Sequence, residues 1–509
     1  MLEVETKYLL APGRNWKTTN RQLKRTLRKA GFALSRAERY VINDSYYDTP
    51  CRSLQKQGWT LRERCTLLRR KAKRSTPPEH RVETTLKTIS AAGPRFVREE
   101  ISQASLLPKA HLPPNGPVGT RLQQLVPPGV RIGIVTQLQN HRKVYTLTHK
   151  NFPDQSIQWS VDRVTSASGL HFVEMEFEAL DANQGLLNAV SRHVAGNKHL
   201  YAARMSKHRR CSEAAVPLTR THTQSISSPP PETWSALARI SLTAVHDDLE
   251  RCADFAWEGM HPEGVHQMRI ATRRLRALLK LFAALLPTDA ARQLQRSSRQ
   301  LTTALGKVRD LDVHLHQLQQ HNRSIPARYI LRIQRLRQRQ HTHLRQHLDT
   351  HFATLQHSLS ELITGIPERD DSLATGLRQQ FQPFLTHLLK RGRRKDLLNP
   401  RQLHQFRLML KTVVYQLVIL APYHPLLASM HKRATRLQRN LGHLQDGQMA
   451  MRLIQDNKLN TDGQQLDKLQ RVLSETKLKS RRFHSEWSKF CVHAETWQQL
   501  DNPVDYTET

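Results

Sequence analysis

The spacing of apolar residues changes near residue 230, and this change limits the possible folds of the chain more than any other feature. Before it, polar and apolar residues alternate in short stretches such as "MLEVETKYLL", "RVETTLKTIS" and "HFVEMEFEAL". Such alternation is typical of antiparallel strands with one buried face. From Trp234 onward, apolar residues recur every three or four positions over long segments, as in amphipathic helices. The sequence therefore predicts a two-domain protein, α+β and then all-α.

The chain of 509 residues is long enough for two separate hydrophobic cores. We expect residues 1–210 to form the first domain and residues 233–500 the second. Residues 211–232, "CSEAAVPLTRTHTQSISSPPPE", are polar and rich in proline, which favours a linker. Within the first domain, helices are predicted at about 16–30, 118–126 and 183–195.

The helical half contains an internal repeat. The segment "VHQMRIATRRLRALL" (265–279) matches "LHQFRLMLKTVVYQL" (403–417), and "LGKVRDLDV" (305–313) matches "LGHLQDGQM" (441–449). This alignment pairs His266 with His404, Arg269 with Arg407, and Arg273 with Lys411. Because both blocks recur in the same order at nearly the same separation, we predict two related units of about four helices each.

The net charge of the chain is +36, with an isoelectric point near 10.6. Residues 1–210 contribute +20 and the remainder +16, so the charge is spread over both halves. A field of this strength predicts a polyanionic partner, such as a phosphate polymer or nucleic acid. Nucleic-acid binding would favour aromatic residues among the basic ones for stacking. The only aromatic residue of the basic segment 265–282 is Phe282, on its apolar side. As the expected partner, nucleic acid therefore ranks below a phosphate polymer, although the charge does not exclude it.

The cysteines and the apolar runs indicate where the protein resides. Five cysteines without any C-x-x-C pair predict reduced thiols, as in cytosolic proteins. The apolar run "VVYQLVILA" (413–421) is too short to span a membrane, and the N-terminus lacks the apolar core of a signal peptide. We therefore expect a cytoplasmic protein with no membrane partner.

Charged side chains at alternate positions recur on several of the predicted strands. Acidic residues fall on the first and last strands, at Glu3, Glu5, Glu174 and Glu176, whereas the middle strands carry mainly basic ones, at Arg62, Arg64, Lys87 and Arg98. Each face alone is typical of a strand exposed to solvent. Together they suit a metal-bound polyphosphate, because carboxylates bind Mg²⁺ or Mn²⁺ and Arg and Lys neutralise phosphates.

These motifs resemble those of the CYTH superfamily, the triphosphate tunnel metalloenzymes. The signature E-x-E-x-K is Glu3 to Lys7, and "YYDTP" (46–50), "LRER", "TLK", "SVD", "EMEFE" and "SK" follow in order. The resemblance implies an eight-stranded antiparallel β-barrel whose charged face lines a tunnel, with flanking helices. The basic insert 66–80 is a long hairpin that departs from the family pattern, and we interpret it as a mobile, phosphate-attracting loop; the alternative is a charge run exposed to solvent.

The same resemblance implies a role for each motif residue. Binding of Mg²⁺ or Mn²⁺ is expected from Glu3, Glu5, Asp162, Glu174 and Glu176. Phosphate binding is expected from Arg62, Arg64, Lys87, Arg98, Arg142 and Lys207. Lys7 and Glu5 are the expected catalytic residues, with Lys7 contacting phosphate or orienting the attacking water. Glu100 would complete the acidic side, and Glu178 would lie on a solvated rim.

The helical half resembles a CHAD domain, a family associated with binding inorganic polyphosphate. A basic stripe runs along one helix face beside an apolar seam that includes Val265, Met268 and Leu275. The motifs of that family fall on His266, Arg269, Arg273, Arg274, Lys307, Arg309 and Asp310. We expect polyphosphate to bind at His266, Arg269, Arg273, Arg274 and Lys307, at Arg276 and Lys280 of the stripe, and at His404, Arg407 and Lys411 of the second repeat. The alternative is that His266 and His404 pack between helices. Gln445 replaces Arg309 in the second repeat, so the first should bind more strongly.

The combination of the two domains is typical of bacterial inorganic triphosphatases. It implies hydrolysis of tripolyphosphate to pyrophosphate and phosphate, next to a helical domain that binds inorganic polyphosphate, and association with polyphosphate granules. Thiamine triphosphatase and class IV adenylate cyclase activities use the same tunnel and stay open as alternatives. A non-catalytic protein that binds polyphosphate or nucleic acid is the alternative outside the enzyme class.

Overall fold

The structure of the protein is a computed structural model. It describes residues 2–68, 80–88, 95–104, 115–179, 184–212, 231–320, 327–369, 371–392, 400–456 and 483–504. Most of the basic insert 66–80 and of the linker 211–232 lies outside these ranges, so the interpretations placed on them stay predictions. The chain forms two compact units. The first comprises Met1–Arg220, Asp254–Val265 and Leu311–His341, and the second comprises Thr221–Ala253, His266–Asp310 and Thr342–Thr509.

Ten strands form one antiparallel sheet in the first unit. They are β1 (Leu2–Leu10), β2 (Phe32–Leu34), β3 (Glu38–Asp48), β4 (Trp59–Leu68), β5 (His80–Thr88), β6 (Arg95–Gln103), β7 (Gly133–His149), β8 (Phe152–Ser166), β9 (His171–Ala179) and β10 (Leu200–Ala202). Eight of them follow the order β1-β6-β5-β4-β3-β7-β8-β9, and β9 pairs back with β1. The sheet is therefore closed, which confirms the predicted eight-stranded antiparallel barrel.

The register of the barrel places the charged faces of several strands together. Lys7 lies opposite Glu176, Asp162 lies opposite both Glu174 and Arg142, and all of these side chains are largely buried. Side chains at directly opposed positions of an antiparallel pair share one face of the sheet. The charged residues of distant strands therefore meet inside the barrel.

The outer face of the barrel carries the hydrophobic core of the first unit. Trp159 and Phe177 stack there with ring centroids 5.5 Å apart, and both are fully buried. They pack with apolar residues of two helices, α1 (Trp16–Lys29) and α4 (Gly185–Ala195). Polar residues inside and apolar residues outside invert the usual arrangement of a small β-domain. The barrel can keep a charged interior because the helices supply its core.

Short helices complete the first unit. They are α2 (Ser53–Lys56), α3 (Pro117–Leu125) and α5 (Lys207–Ser212). Together with α1 and α4, α3 confirms the three helices expected from sequence. A second apolar cluster, which includes Leu9, Leu138 and Phe172, packs against Cys211 of α5. The strand alternation puts these apolar residues on the inward face, so they fill one end of the barrel interior.

Long helices make up most of the rest of the described part of the chain. The first run is α6 (Trp234–Glu258), α7 (Pro262–Leu281), α8 (Thr288–Gln320) and α9 (Ala327–Thr364). The second run is α10 (Leu373–Gly376), which continues through the π-helical turn Leu377–Phe381 into α11 (Gln382–Gly392), then α12 (Pro400–Leu420), α13 (Pro425–Asp456) and a helix at 483–498. The repeated histidine motif opens the second helix of each run, as the internal repeat predicts.

The apolar seam of α7 is buried as its spacing predicts. Val265, Met268, Leu275 and Phe282 have no exposed surface. In α12, the segment Gln402–Tyr423 is long and apolar enough to cross a membrane by length and composition alone, and 44% of its apolar window is buried. Core helices of soluble proteins pass the same test, so this segment is weak evidence for a membrane span.

Candidate active site

A cavity of about 230 Å³ lies inside the barrel. Its described lining contains eight basic and five acidic residues. The basic ones are Lys7, Arg62, Arg64, Lys87, Arg142, Arg204, Lys207 and Arg209, and the acidic ones are Glu5, Glu83, Glu100, Glu176 and Glu178. The lining therefore has an excess of positive charge, interspersed with carboxylates.

Lys7 bridges two of the predicted metal ligands. Its Nζ atom lies 2.8 Å from Oε1 of Glu5 and 2.6 Å from Oε1 of Glu176. All three side chains are at least nine-tenths buried, and the ring of Phe96 lies 5.3 Å from the same ammonium group. Glu5 and Lys7 come from alternate positions of β1 and Glu176 from the paired strand β9, so the register of the two strands creates this contact.

Lys207 brings three carboxylates together. Its Nζ atom lies 2.6 Å from Asp162, 3.1 Å from Glu174 and 2.7 Å from Glu176. Burial alone would lower the pKa of Lys207, but Asp162 and Glu176 raise it above its ordinary value. The ammonium group is therefore charged at every pH at which the protein would be assayed.

Arg142 completes this cluster from β7. Its Nε and Nη2 atoms donate to the two carboxylate oxygens of Asp162 at 2.8 and 2.7 Å, and Nη2 lies 2.5 Å from Glu176. Burial would raise the pKa values of both acids, but the cations around them lower the pKa of Asp162 and hold that of Glu176 well below its ordinary value. Both carboxylates are therefore ionised.

Glu174 differs from the other two acids in its titration. It is fully buried, and burial raises its pKa although Lys207 and Arg210 act in the opposite direction. Nη1 of Arg210 donates to its Oε2 atom at 2.8 Å. Glu174 is thus the carboxylate of the cluster that takes up a proton most readily.

Three of the phosphate-binding residues predicted from sequence, Arg62, Arg64 and Lys87, lie on β4 and β5, whereas Arg142 and Lys207 belong to the acidic cluster. Arg64 makes a two-pronged ion pair with Asp44, with distances of 2.7 and 2.9 Å, and Arg62 donates to the hydroxyl of Thr85 at 3.3 Å. Lys87 lies 2.6 Å from Glu100. The Asp44 pair fixes the guanidinium of Arg64 and leaves its Nη1 atom outside the pair.

Most of the predicted site residues therefore converge on one cavity. Glu5, Lys7, Arg62, Arg64, Lys87, Arg142, Glu176 and Lys207 line it, and Asp162 and Glu174 lie directly behind Lys207. Glu178, expected on a solvated rim, lines the cavity as well. The backbones of Glu3 and Arg98 pair between β1 and β6, but their side chains lie outside the described part of the chain, so their roles stay predictions.

Sequence reasoning missed several residues of the site. Asp44 lies two positions before Tyr46 and Glu83 lies four before Lys87, so alternation along β3 and β5 could have placed both on the inner face. His208 also lines the cavity and stacks on Tyr46 with ring centroids 4.4 Å apart. Burial, aided by the charge of Arg52, lowers the pKa of His208 to about 4. Its position on a short helix gave no periodic signal.

The described donors fit a divalent cation in chemistry and in placement. Three carboxylates approach one ammonium nitrogen within 3.1 Å, and a fourth, Glu5, shares Lys7 with Glu176. Oxygen donors that already surround a single positive group are the type that Mg²⁺ and Mn²⁺ prefer. A second group of potential ligands, His246, Asp247 and Glu250, is half-buried to exposed, and nothing beyond its proximity indicates a metal.

The basic stripe of α7 is half-buried in the second unit. Arg269, Arg273 and Arg276 are partly covered, Lys280 is exposed, and Arg299 of α8 adds a cation that the sequence analysis missed. Burial, together with neighbouring arginines, lowers the pKa values of Arg269, Arg276 and Lys280. Like charges therefore crowd this face, as the sequence predicts.

Other predicted members of the stripe differ in their environment. Arg274 donates to Asp248 at 3.0 Å, and Arg269 lies 4.0 Å from the exposed Asp310. Lys307 is exposed, as is His404 in the second repeat, whereas Arg407 and Lys411 are half-buried. His266 is half-buried, so packing between helices fits His266 better than His404.

Comparison with known proteins finds two protein families in the chain. The model of the CYTH domain matches residues 1–211, and that of the CHAD domain matches residues 241–455. Members of the CYTH family are metal-dependent and act on triphosphates or nucleotides. No curated protein matches the chain.

Several solved structures are similar to parts of the chain. The CHAD domain of the plant Ricinus communis is 24% identical and covers 54% of this chain and 95% of its own, with a TM-score of 0.40. PptA from Streptomyces chartreusis is 16% identical over 52% of this chain and 100% of its own, with a TM-score of 0.38. A proposed adenylyl cyclase from Hippeastrum, described as having a dominant triphosphatase activity, is 14% identical and covers 40% of this chain and 92% of its own, with a TM-score of 0.28.

Both halves of the molecule thus agree with their family matches. The first match coincides with the closed barrel and its charged cavity, and the second lies within the helical part of the chain. The chain therefore carries a CYTH domain followed by a CHAD domain.

Proposed function

We propose that the protein is a metal-dependent hydrolase of linear inorganic triphosphate, which it cleaves to pyrophosphate and phosphate. The observation that carries this proposal is the convergence of Asp162, Glu174 and Glu176 on Lys207 inside the barrel, facing Arg62 and Arg64 across the cavity. Acids on one wall and arginines on the other suit a metal-bound triphosphate, which carries roughly four to five negative charges.

Different residues of the cavity would bind the metal and the phosphates. Glu5, Asp162, Glu174 and Glu176, with Glu3, would hold Mg²⁺ or Mn²⁺, which when bound supplies Lewis-acid polarisation of phosphate oxygens. Arg62, Arg64 and Lys87, with Arg98, would bind the phosphates. Lys7, Arg142 and Lys207 are paired with these carboxylates in the structure, and they would turn to phosphate oxygens when substrate enters.

Hydrolysis itself requires positioning more than covalent chemistry. The oxygen of a water molecule attacks the terminal phosphorus, the bond to the bridging oxygen breaks, and pyrophosphate leaves with that oxygen. Lys7 is placed to orient the water or to bind the terminal phosphate, and Glu5 beside it can accept the proton. Arg64, which the buried Asp44 holds in place, would stabilise charge in the transition state without reorganising.

Two observations favour an inorganic substrate over a nucleotide. Among the described residues that line the cavity, the aromatic side chains are Tyr46, Phe96 and His208. Tyr46 and His208 stack on each other, and Lys7 lies over Phe96. Rings engaged in this way offer little for stacking with a nucleobase or a thiamine ring.

The helical domain would bind inorganic polyphosphate through its basic stripe. The crowding of Arg269, Arg273 and Arg276 costs electrostatic free energy, which a polyanion would relieve. A chain with this function is expected in the cytoplasm, where it would associate with polyphosphate granules.

The deciding experiment measures phosphate release from tripolyphosphate, thiamine triphosphate and ATP, with Mg²⁺ or Mn²⁺, by the wild type and Glu5→Gln. We expect tripolyphosphate to be cleaved fastest, and Glu5→Gln to lose most of the activity. Faster cleavage of thiamine triphosphate or ATP would move the assignment to one of the alternatives. A variant as active as the wild type would refute the proposed site.

A further inference from the structure

The wall of the cavity that carries Lys207 is held by a residue far along the chain. Residues 204–209 line the cavity, and the next residue, Arg210, is fully buried. Its Nε and Nη2 atoms donate to the two carboxylate oxygens of Glu258 at 2.6 and 3.0 Å. Glu258 is the last residue of α6 and has no exposed surface.

Glu258 also holds the backbone of the same wall. Its Oε1 atom accepts hydrogen bonds from the backbone N–H groups of Arg204 at 2.9 Å and Met205 at 3.0 Å. A single buried carboxylate therefore fixes both the start of the segment 204–209 and the side chain that follows it. Because Glu258, Met205 and Arg210 are buried and Arg204 is half-buried, few alternatives from solvent compete with these bonds.

Arg210 carries the connection to the acidic cluster. Nη1 donates to Oε2 of Glu174 at 2.8 Å, and Nη2 donates to the carbonyl oxygen of Met205 at 2.8 Å. One guanidinium thus lies between two carboxylates, one from the predicted metal site and one from α6. The guanidinium also lies 4.7 Å from the ring of Phe172, which fills one end of the barrel interior.

The last turn of α6 makes further contacts to the same segment. Asp254 accepts from Arg209 at 2.9 Å, and Trp257 lies 4.1 Å from the guanidinium of Arg204. The hydroxyl of Tyr201 donates to the backbone carbonyl of Glu258 at 3.2 Å. Residues 254–265 belong to the first compact unit, although they lie inside the range that matches the CHAD family.

We propose that Glu258 is a positioning residue for the tunnel site, acting through Arg210 and the backbone of residues 204–205. The inference rests on the proposed function, because it assigns to Lys207 and Glu174 the roles given there. Its consequence is that the active site of the CYTH domain is completed by a residue within the CHAD match. The site reaches its full affinity and activity only when the last turn of α6 is in place.

The variant Glu258→Gln tests this proposal with little change in shape. The amide oxygen can still accept from the two backbone N–H groups, but the amide nitrogen would then face a donor of Arg210. The guanidinium would lose one partner and pair more strongly with Glu174. We expect the wall that carries Lys207 to shift. Loss of a hydrogen-bonding partner that supports a site residue without touching the ligand typically costs about tenfold in affinity or activity.

The measurement is the affinity of the full chain for tripolyphosphate without metal, by titration calorimetry, together with kcat for phosphate release. Glu258→Gln should weaken binding and lower kcat, each roughly tenfold. Glu250→Gln, the same change at an exposed position of α6, should stay within twofold of the wild type in both assays. Thermal unfolding shows whether each variant is folded.

A lowered unfolding temperature of Glu258→Gln with unchanged affinity and kcat would show a merely structural role and overturn the proposal. If Glu258→Gln does not unfold cooperatively, Arg210→Lys is judged by the same two outcomes, since lysine keeps the charge but cannot reach both carboxylates. A wild type that binds tripolyphosphate without cleaving any triphosphate would refute the proposed function, while the binding assay would still decide the role of Glu258.

Discussion

The Nζ atom of Lys7 lies 2.6 Å from Oε1 of Glu176, although the two residues are 169 positions apart. The contact joins the first strand of the barrel to β9, and the pairing of these strands closes the sheet. The strand pairing that closes the barrel therefore also brings Lys7 and Glu176 of the charged site together. Disruption of this pairing or of this contact is expected to affect the other.

Arg64→Lys should weaken substrate binding more than catalysis. Arg64 is held by both oxygens of Asp44, and lysine cannot reproduce this two-pronged pair. We expect the KM for tripolyphosphate to rise about tenfold, with a smaller change in kcat, in steady-state assays. Arg21→Lys, at an exposed position of α1, is the matched control. A KM within twofold of the wild type would contradict the role of Arg64.

His208→Phe should flatten the pH dependence of stability. The pKa of His208 is about 4 in the folded protein and ordinarily 6.5, so the unfolded chain takes up the proton first as pH falls. Wild-type stability should thus fall between pH 6.5 and 4, by roughly 3 kcal/mol at most, and be unaffected by this group above pH 6.5. Phenylalanine keeps a ring against Tyr46 but cannot be protonated.

The measurement is the free energy of unfolding in urea at several pH values between 4 and 7.5. The unfolding free energy of the variant minus that of the wild type should become more positive as pH is lowered through this range. A constant difference would mean that His208 titrates normally in the folded protein.

Charge reversal at Arg269 and Arg273 should weaken polyphosphate binding. These residues belong to the crowded stripe of α7, where burial and like charges lower the pKa of Arg269. We expect the full chain with Arg269→Glu and Arg273→Glu to bind long-chain polyphosphate at least tenfold more weakly at low salt, and the wild type to bind more weakly as salt rises. Fluorescence anisotropy with labelled polyphosphate would measure both effects.

The matched control uses the second repeat. Arg407→Glu with Lys411→Glu changes the equivalent positions of α12, and a smaller loss is expected there because Gln445 replaces Arg309. Equal losses from the two pairs would argue against the dominance of the first repeat. Unchanged binding in both would show that the stripe is not the binding surface.

The sequence contains enough information to predict the barrel and most of its site. Alternation along β1 and β9 places Glu5, Lys7 and Glu176 on one face, and side chains at this spacing can only point to the same side of a strand. The helices could be predicted because their apolar residues form continuous seams, as in Val265 and Met268 of α7.

The partner of Arg210 could not be predicted in the same way. Glu258 is 48 positions away on a helix, and its carboxylate is drawn into the site by tertiary packing rather than by any periodic pattern. The residues around Glu258 in sequence predict only the end of a helix. Asp44 is different, because it lies two positions before Tyr46 on β3 and alternation alone would have revealed it.

We propose that the carboxylates of the barrel hold a metal ion for triphosphate hydrolysis. The most direct test is the initial rate of phosphate release from tripolyphosphate as a function of Mn²⁺ concentration, for wild type, Glu176→Gln and the control Glu250→Gln. We expect a wild-type rate that requires the metal, a control within twofold of it, and a loss of about a hundredfold or more in Glu176→Gln. A rate independent of metal, or a Glu176→Gln variant as active as the control, would contradict the proposal.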